Sequence, residues 1–143
     1  MKIIITSLIA AVAMAATYFL VIPPANASTE HLNKHKVAFT EALYQQAKAE
    51  NRLVLIDVYA PWCPTCRRQH VVLNDYFAAN PNSSIQVLQV DFDNQKDWVT
   101  YFKAPRQSTL ALHRGDEQLW FSVAQTKQDV IFAELKKHDT GAN

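Results

Sequence analysis

At 143 residues, 49% of them hydrophobic, the chain is long enough to bury one core and too short for two full domains. Its 14 Lys+Arg face 13 Asp+Glu, a formal net charge of +1. The charges form no long run of one sign, which argues against nucleic acid or an anionic membrane surface as the main partner.

The first 27 residues read as an address rather than as part of a fold. Lys2 gives a short positive start, and Ile3 to Ile22 is apolar apart from Thr6, Ser7, Thr17 and Tyr18. Pro23-Pro24 ends any helix, and Ala25-Asn26-Ala27 places small residues at the two positions a signal peptidase inspects. A signal peptide over 1–27 followed by a domain over 28–143 is therefore expected. The alternative is an uncleaved anchor, since the apolar run matches the ~20 residues a bilayer core requires. Both place the domain outside the cytoplasm, in a bacterial periplasm, where disulfides persist. Membrane contact is expected only if the segment stays attached.

Downstream, helices and strands alternate. Val37, Phe39, Leu43, Tyr44 and Ala47 recur at helical spacing between Lys34 and Asn51. Leu53-Val54-Leu55-Ile56-Asp57-Val58-Tyr59 reads as a strand covered on both faces. Pro64 suits the first turn of a second helix, with Val72, Leu73, Tyr76 and Phe77 on its inner side. A loop over Asn80–Ser84 leads to a strand from Ile85 to Phe92. Asp93 or Asn94 is expected to cap a short helix through Trp98 and Phe102. Thr109–His113 and Gln118–Val123 form a hairpin across Arg114-Gly115-Asp116-Glu117. Thr126 and Asp129 stand at capping-box spacing before a last helix through Leu135. This order predicts an α/β fold, a mixed central sheet of about four strands flanked by helices on both faces.

The chain has two cysteines, Cys63 and Cys66. A structural staple over so small a loop contributes only ~2 kcal/mol. Haem attachment fails because Arg67 stands where Cys-x-x-Cys-His requires His. A closed zinc site needs four ligands, and there is no second pair. A redox dithiol remains. Cys63 falls where a strand ends and a helix begins, where backbone N–H groups, the helix dipole, Arg67 and Arg68 favour its thiolate. Cys66, one turn further in, is expected to be more deeply buried and to resolve a mixed disulfide formed at Cys63.

The run Asp57-Val58-Tyr59-Ala60-Pro61-Trp62-Cys63-Pro64-Thr65-Cys66, with Val90-Asp91-Phe92-Asp93, Ser108-Thr109-Leu110 and the Gly115 hairpin, resembles the thioredoxin family over roughly residues 36 to 138. The resemblance implies a thioredoxin-like fold and a thiol–disulfide oxidoreductase with no cofactor beyond a Cys63–Cys66 disulfide. It implies that Asp57 is a buried acid relaying the proton of the resolving thiol, and that Trp62, Pro64, Thr65, Gln107 and Ser108 border the substrate. Ser108 departs from the family, which places a cis-proline there. A non-proline cis bond costs ~2.5–4 kcal/mol, so a trans bond and an altered groove wall beside Gln107 are expected. Gln89 also departs, standing where many thioredoxins carry a Lys near the acid.

Other residues carry less. A Cys63/Cys66/His70 metal site can be drawn, but His70 is expected on the helix surface, and no metal site is assigned. Arg114-Gly115-Asp116 is explained as a hairpin turn. Trp98 and Trp120 belong to the core or its edge, and Tyr59 either faces substrate or ends its strand. Electron flow toward substrate is favoured: Asp57 and Trp62 resemble reducing thioredoxins, and no His lies between the cysteines. The expected protein is a monomeric reductase of protein disulfides, recharged by a membrane electron donor. The alternatives are an oxidase or isomerase, a metal-binding carrier using Cys63 and Cys66, and a redox-inert binding module.

Overall fold

Strand β2 (Leu53–Tyr59) organises the fold, because both of its faces are apolar. Alternation sends Leu53 and Leu55 to one core, with Leu73, Tyr76, Phe77, Leu110, Leu112, Ile131 and Leu135. Val54, Ile56 and Val58 join the other, with Phe39, Tyr44, Ala47, Leu88, Val99 and Phe102. Asp57 and Tyr59 share the Leu53/Leu55 face by the same period of two. The computed structural model describes residues 29–142, so the leader expected over 1–27 lies outside the described residues.

In chain order the elements are α1 (Glu30–His35), β1 (Lys36–Ala38), α2 (Glu41–Ala49), β2, α3 (Pro64–Ala79), β3 (Gln86–Asp91), α4 (Lys96–Tyr101), β4 (Thr109–Arg114), β5 (Glu117–Val123) and α5 (Gln128–His138). They build a five-stranded sheet in the order β1-β3-β2-β4-β5. β1, β3 and β2 run parallel, whereas β4 and β5 are antiparallel to their neighbours. The register sets Asp57 directly beside Gln89.

The expected α/β sandwich is present, with one strand more than expected. Residues 34–51 are not one helix: Lys36–Ala38 pairs with Val87–Gln89 as an edge strand. Thr40 then starts α2 afresh, its Oγ1 accepting from Leu43 N at 3.2 Å. The helical spacing came from Leu43, Tyr44 and Ala47 alone, and Asn51 does end the segment, at φ +51°. Neither Asp93 nor Asn94 caps α4. Asp91 instead gathers the N–H groups of Asp93 and Asn94, and Gln95 is the cap residue. Likewise Lys127, not Thr126, precedes α5, and Gln125 Oε1 accepts from the N–H groups of Thr126 and Lys127. At the hairpin tip Gly115 sits at φ +57°, where a Cβ would meet Asn51 Oδ1 at 2.9 Å.

Asp139, just past α5, ties the end of the chain to α3. It accepts from Tyr76 Oη at 2.9 Å, from the hydroxyls of Ser83 and Ser84, and from Ser84 N. Asp139→Ala would leave the buried Tyr76 hydroxyl without its acceptor, at a cost of about 1–3 kcal/mol. A lower urea midpoint at unchanged m-value is the expected result, and an unchanged midpoint would refute this role.

Candidate active site

Cys63 is the N-cap of α3, with extended backbone at φ −86°, ψ 112°. Its Sγ accepts the otherwise unpaired N–H of Cys66 at 3.2 Å, and Pro64 follows where a missing N–H costs nothing. The strand-to-helix junction read from sequence is thus where the sulfur sits. Both sulfurs are hidden from solvent, Cys63 at 1% and Cys66 at 0% exposure, and Cys66 is the more deeply buried, as expected. Burial and hydrogen bonding together separate the two thiols. Burial raises the Cys63 thiol, but the Cys66 thiol, the Ser108 hydroxyl and the backbone N–H groups of Cys66 and Thr65 outweigh it, and the net direction is down. Burial, and then the Cys63 sulfur, push Cys66 up to about 11. Arg67 and Arg68 are not among the leading causes; they reach Pro61 O and Thr65 Oγ1.

Ser108 closes the site from the opposite side. Its hydroxyl lies 3.1 Å from Cys63 Sγ and 3.2 Å from Cys66 Sγ. The residue is buried at φ +64°, and no described peptide bond is cis. Three bonds fix this backbone. Ser108 N donates to Val58 O at 2.8 Å, Ala124 N donates to Ser108 O at 2.8 Å, and Gln69 Nε2 donates to Ser108 O at 3.1 Å. Gln69 Nε2 also donates to Gln125 O. An N–H that proline would lack therefore ties this strap to β2. Gln107, beside it, is half-buried.

Asp57 is 0% exposed, not a strand-end carboxylate in solvent. The expectation that His70 is a surface residue is wrong. His70 is 6% exposed, and its Nε2 lies 2.7 Å from Asp57 Oδ2. The ring stacks on Tyr59 with centroids 4.6 Å apart and planes at 10°, so Tyr59 neither faces substrate alone nor merely ends its strand. Gln89 Nε2 completes the group, 3.2 Å from Asp57 Oδ2. Asp57 Oδ1 is buried without a hydrogen-bond partner. Burial, and then the negative charges of Cys66 and Asp57, raise the Tyr59 phenol above its ordinary range.

At the surface, Trp62 is 55% exposed and anchored by its Nε1, which donates to Asp93 Oδ2 at 2.8 Å. Pro64 is exposed and Thr65 half-buried beside it. Trp98 and Trp120 are half-buried against the two cores, as expected. Among the described residues no three His, Cys, Asp or Glu side chains are placed to hold a metal, so Cys63, Cys66 and His70 are not brought together. Sequence reasoning missed His70, Gln69 and Asp93. His70 was detectable, because 66, 70, 73 and 77 trace one helical stripe whose other members are buried.

The Thioredoxin family model matches residues 30–137. The chain is 30% identical over 125 residues to a thioredoxin H-type of Brassica campestris, covering 87% of this chain and 95% of that protein. It is 31% identical over 93 residues to thioredoxin H4 of Arabidopsis thaliana, covering 65% and 76%. The crystal structure of Trxlp from Edwardsiella tarda EIB202 superposes with a TM-score of 0.66 at 35% identity, covering 70% of this chain and 97% of that one.

Proposed function

The chain belongs to the thioredoxin family and is a thiol–disulfide oxidoreductase; on that premise we propose that it reduces protein disulfides outside the cytoplasm, with Cys63 as nucleophile and Cys66 as resolving thiol. The observation that carries this reading is geometric: Cys63 caps the N-terminus of α3, its Sγ accepting the Cys66 N–H at 3.2 Å, while Cys66 lies one turn inside and fully buried. The directions of the two thiols, Cys63 down and Cys66 up, agree with it. The Cys63 thiolate attacks a substrate disulfide, forming a mixed disulfide and releasing one substrate thiolate. Cys66 then loses its proton and attacks Cys63 Sγ. The Cys63–Cys66 disulfide forms, the bond to substrate breaks, and the second substrate thiolate leaves.

Asp57 takes the Cys66 proton. Its support is a buried carboxylate with one oxygen unpartnered, on β2 beside Val58, whose carbonyl lies 4.0 Å from Cys66 Sγ. Trp62, Pro64, Thr65, Gln107 and Ser108 border the substrate, with Trp62 as the exposed apolar contact. The protein works as an exported monomer, recharged through a membrane electron donor. The signal-like residues 1–27 support export, and among the described residues no helix is long and apolar enough to cross a membrane.

A second reading, oxidase or isomerase, draws on Ser108. A hydroxyl that bonds both sulfurs stabilises the reduced dithiol, and a stabilised reduced form makes a stronger oxidant. Equilibration with glutathione decides between them. The expected potential lies nearer ~−270 mV than ~−120 mV, and a value above about −150 mV would move the protein to the oxidase class.

A further inference from the structure

Asp57 has no route of its own to solvent. It is fully buried on the α3 side of β2, and a buried acid that accepts a proton on every turnover must also discharge it. Two side chains touch it, Gln89 and His70. Each also reaches a surface cleft. Gln89 lines one with Pro61 and Asp91. His70 lines the other, together with Lys36 of β1 and Arg67 of its own helix. An amide does not exchange protons near neutrality, whereas imidazole does so through two distinct nitrogens.

We infer that His70 is the proton conduit of the resolving step: it holds Asp57 in place through Nε2 and passes the proton between that carboxylate and the solvent cleft. The inference rests on the redox reading of Cys63 and Cys66 proposed above. Asp57 Oδ2 and His70 Nε2, 2.7 Å apart, are close enough for a proton to pass between them. When Cys66 is deprotonated, its proton arrives on the unpartnered Asp57 Oδ1. A proton then leaves from Nδ1 of the imidazolium into the cleft. The carboxyl and imidazole keep their joint proton count, and Cys66 is left as the thiolate that forms the disulfide.

The contacts hold the ring to this task. Tyr59 stacks on its face and fixes the plane, while Gln89 Nε2, 3.3 Å from His70 Nε2, borders the same edge. Tyr59 from β2, Gln89 from β3, Lys36 from β1, Arg67 from α3, and Thr29 and Asn33 at α1 are the titratable, charged and polar groups around the pair and its cleft. Lys36 and Arg67 line the same cleft as the ring. His70 acts on the sulfur only through Asp57 and is in that sense a positioning residue.

Ellman's reagent tests this without reference to any biological substrate. Attack by Cys63 releases a first coloured thiolate, and closure by Cys66 releases a second. In His70→Ala the ratio of closure rate to attack rate is expected to fall about 100-fold, the lower end for a lost acid–base group. Imidazole added to the buffer should restore it in proportion to concentration. His70→Gln keeps a donor toward Asp57 but cannot take up and release a proton near neutral pH, and it should stay slow; it also serves as the test if the alanine variant does not fold. A wild-type ratio in either variant, or no response of His70→Ala to imidazole, would overturn the conduit and leave His70 a packing contact. A wild type that closes fast yet leaves insulin intact overturns only the reductase reading. A wild type that releases a single thiolate per protein overturns the dithiol reading and the conduit with it.

Discussion

Cys63→Ser is expected to reduce insulin no faster than dithiothreitol alone, while Cys66→Ser is expected to stop after one event per molecule, bound to its substrate. The two sulfurs are one helical turn apart, and the deeper burial of Cys66 together with the hydrogen bonds to Cys63 sets their protonation apart. With Cys66 pushed up to about 11, little of it is thiolate near neutral pH. Cys63, held below the ordinary range of 9.0 by sulfur, hydroxyl and backbone donors, is the thiol ready to attack. Removing it leaves no competent nucleophile. Removing Cys66 leaves the attack intact and takes away only the release, so a stoichiometric mixed disulfide should be seen by mass spectrometry and should dissolve on adding reductant. Multiple turnover at wild-type rate by both variants would end the redox assignment. The reverse pattern, trapping by Cys63→Ser, would exchange the two roles.

Much of this was legible in the residues themselves. β2 could be read because it is covered on each face and its apolar run is nearly unbroken, and β3 because Val87, Leu88 and Val90 follow a turn-rich loop. The dithiol could be placed because a strand ending at Tyr59 and a proline at position 64 bracket Cys63. Strand β1 could not: three residues, two of them exposed, leave no periodicity to read, and only pairing with β3 makes them a strand. The caps of α4 and α5 misled for a related reason. Here Asp91 and Gln125 bind N–H groups of the turns leading into the two helices, and neither helix has a side-chain cap. The hidden histidine is a different case. His70 lies four residues past Cys66 and seven before Phe77, on the stripe that faces the sheet, and β2 alternation puts Asp57 on that same face. Those two periods together were sufficient to bring His70 to Asp57, but a polar residue on an inner stripe is easily assigned to solvent.

Ser108→Ala is expected to raise the pH midpoint for alkylation of Cys63 by about one unit. A hydrogen bond to a charged group contributes about 1.5–3 kcal/mol, and 1.36 kcal/mol corresponds to one pKa unit. The sign follows from the species involved. The hydroxyl donates to the thiolate, so without it the thiol holds its proton to higher pH, back toward the ordinary 9.0. Below the midpoint the thiolate fraction then drops about tenfold. A more basic thiolate is also a better nucleophile, with a Brønsted slope of about 0.4–0.5, so the net slowing of attack near neutral pH is about threefold. The potential should move with it, by up to about 30 mV in the negative direction, because a less stabilised reduced form is a stronger reductant. Ser108→Pro is not the mild change that a return to the family residue suggests. Proline fixes φ near −65°, whereas this residue sits at +64° and gives its N–H to Val58 O. The strap must therefore rebuild, at a cost of more than about 1 kcal/mol. Ser108→Gly separates the two effects, since glycine accepts the left-handed backbone and lacks the hydroxyl. It should shift the Cys63 midpoint as alanine does while sparing stability. An unchanged midpoint in both Ser108→Ala and Ser108→Gly would mean that the hydroxyl does not hold the thiolate, and that the helix-terminal N–H groups alone lower Cys63.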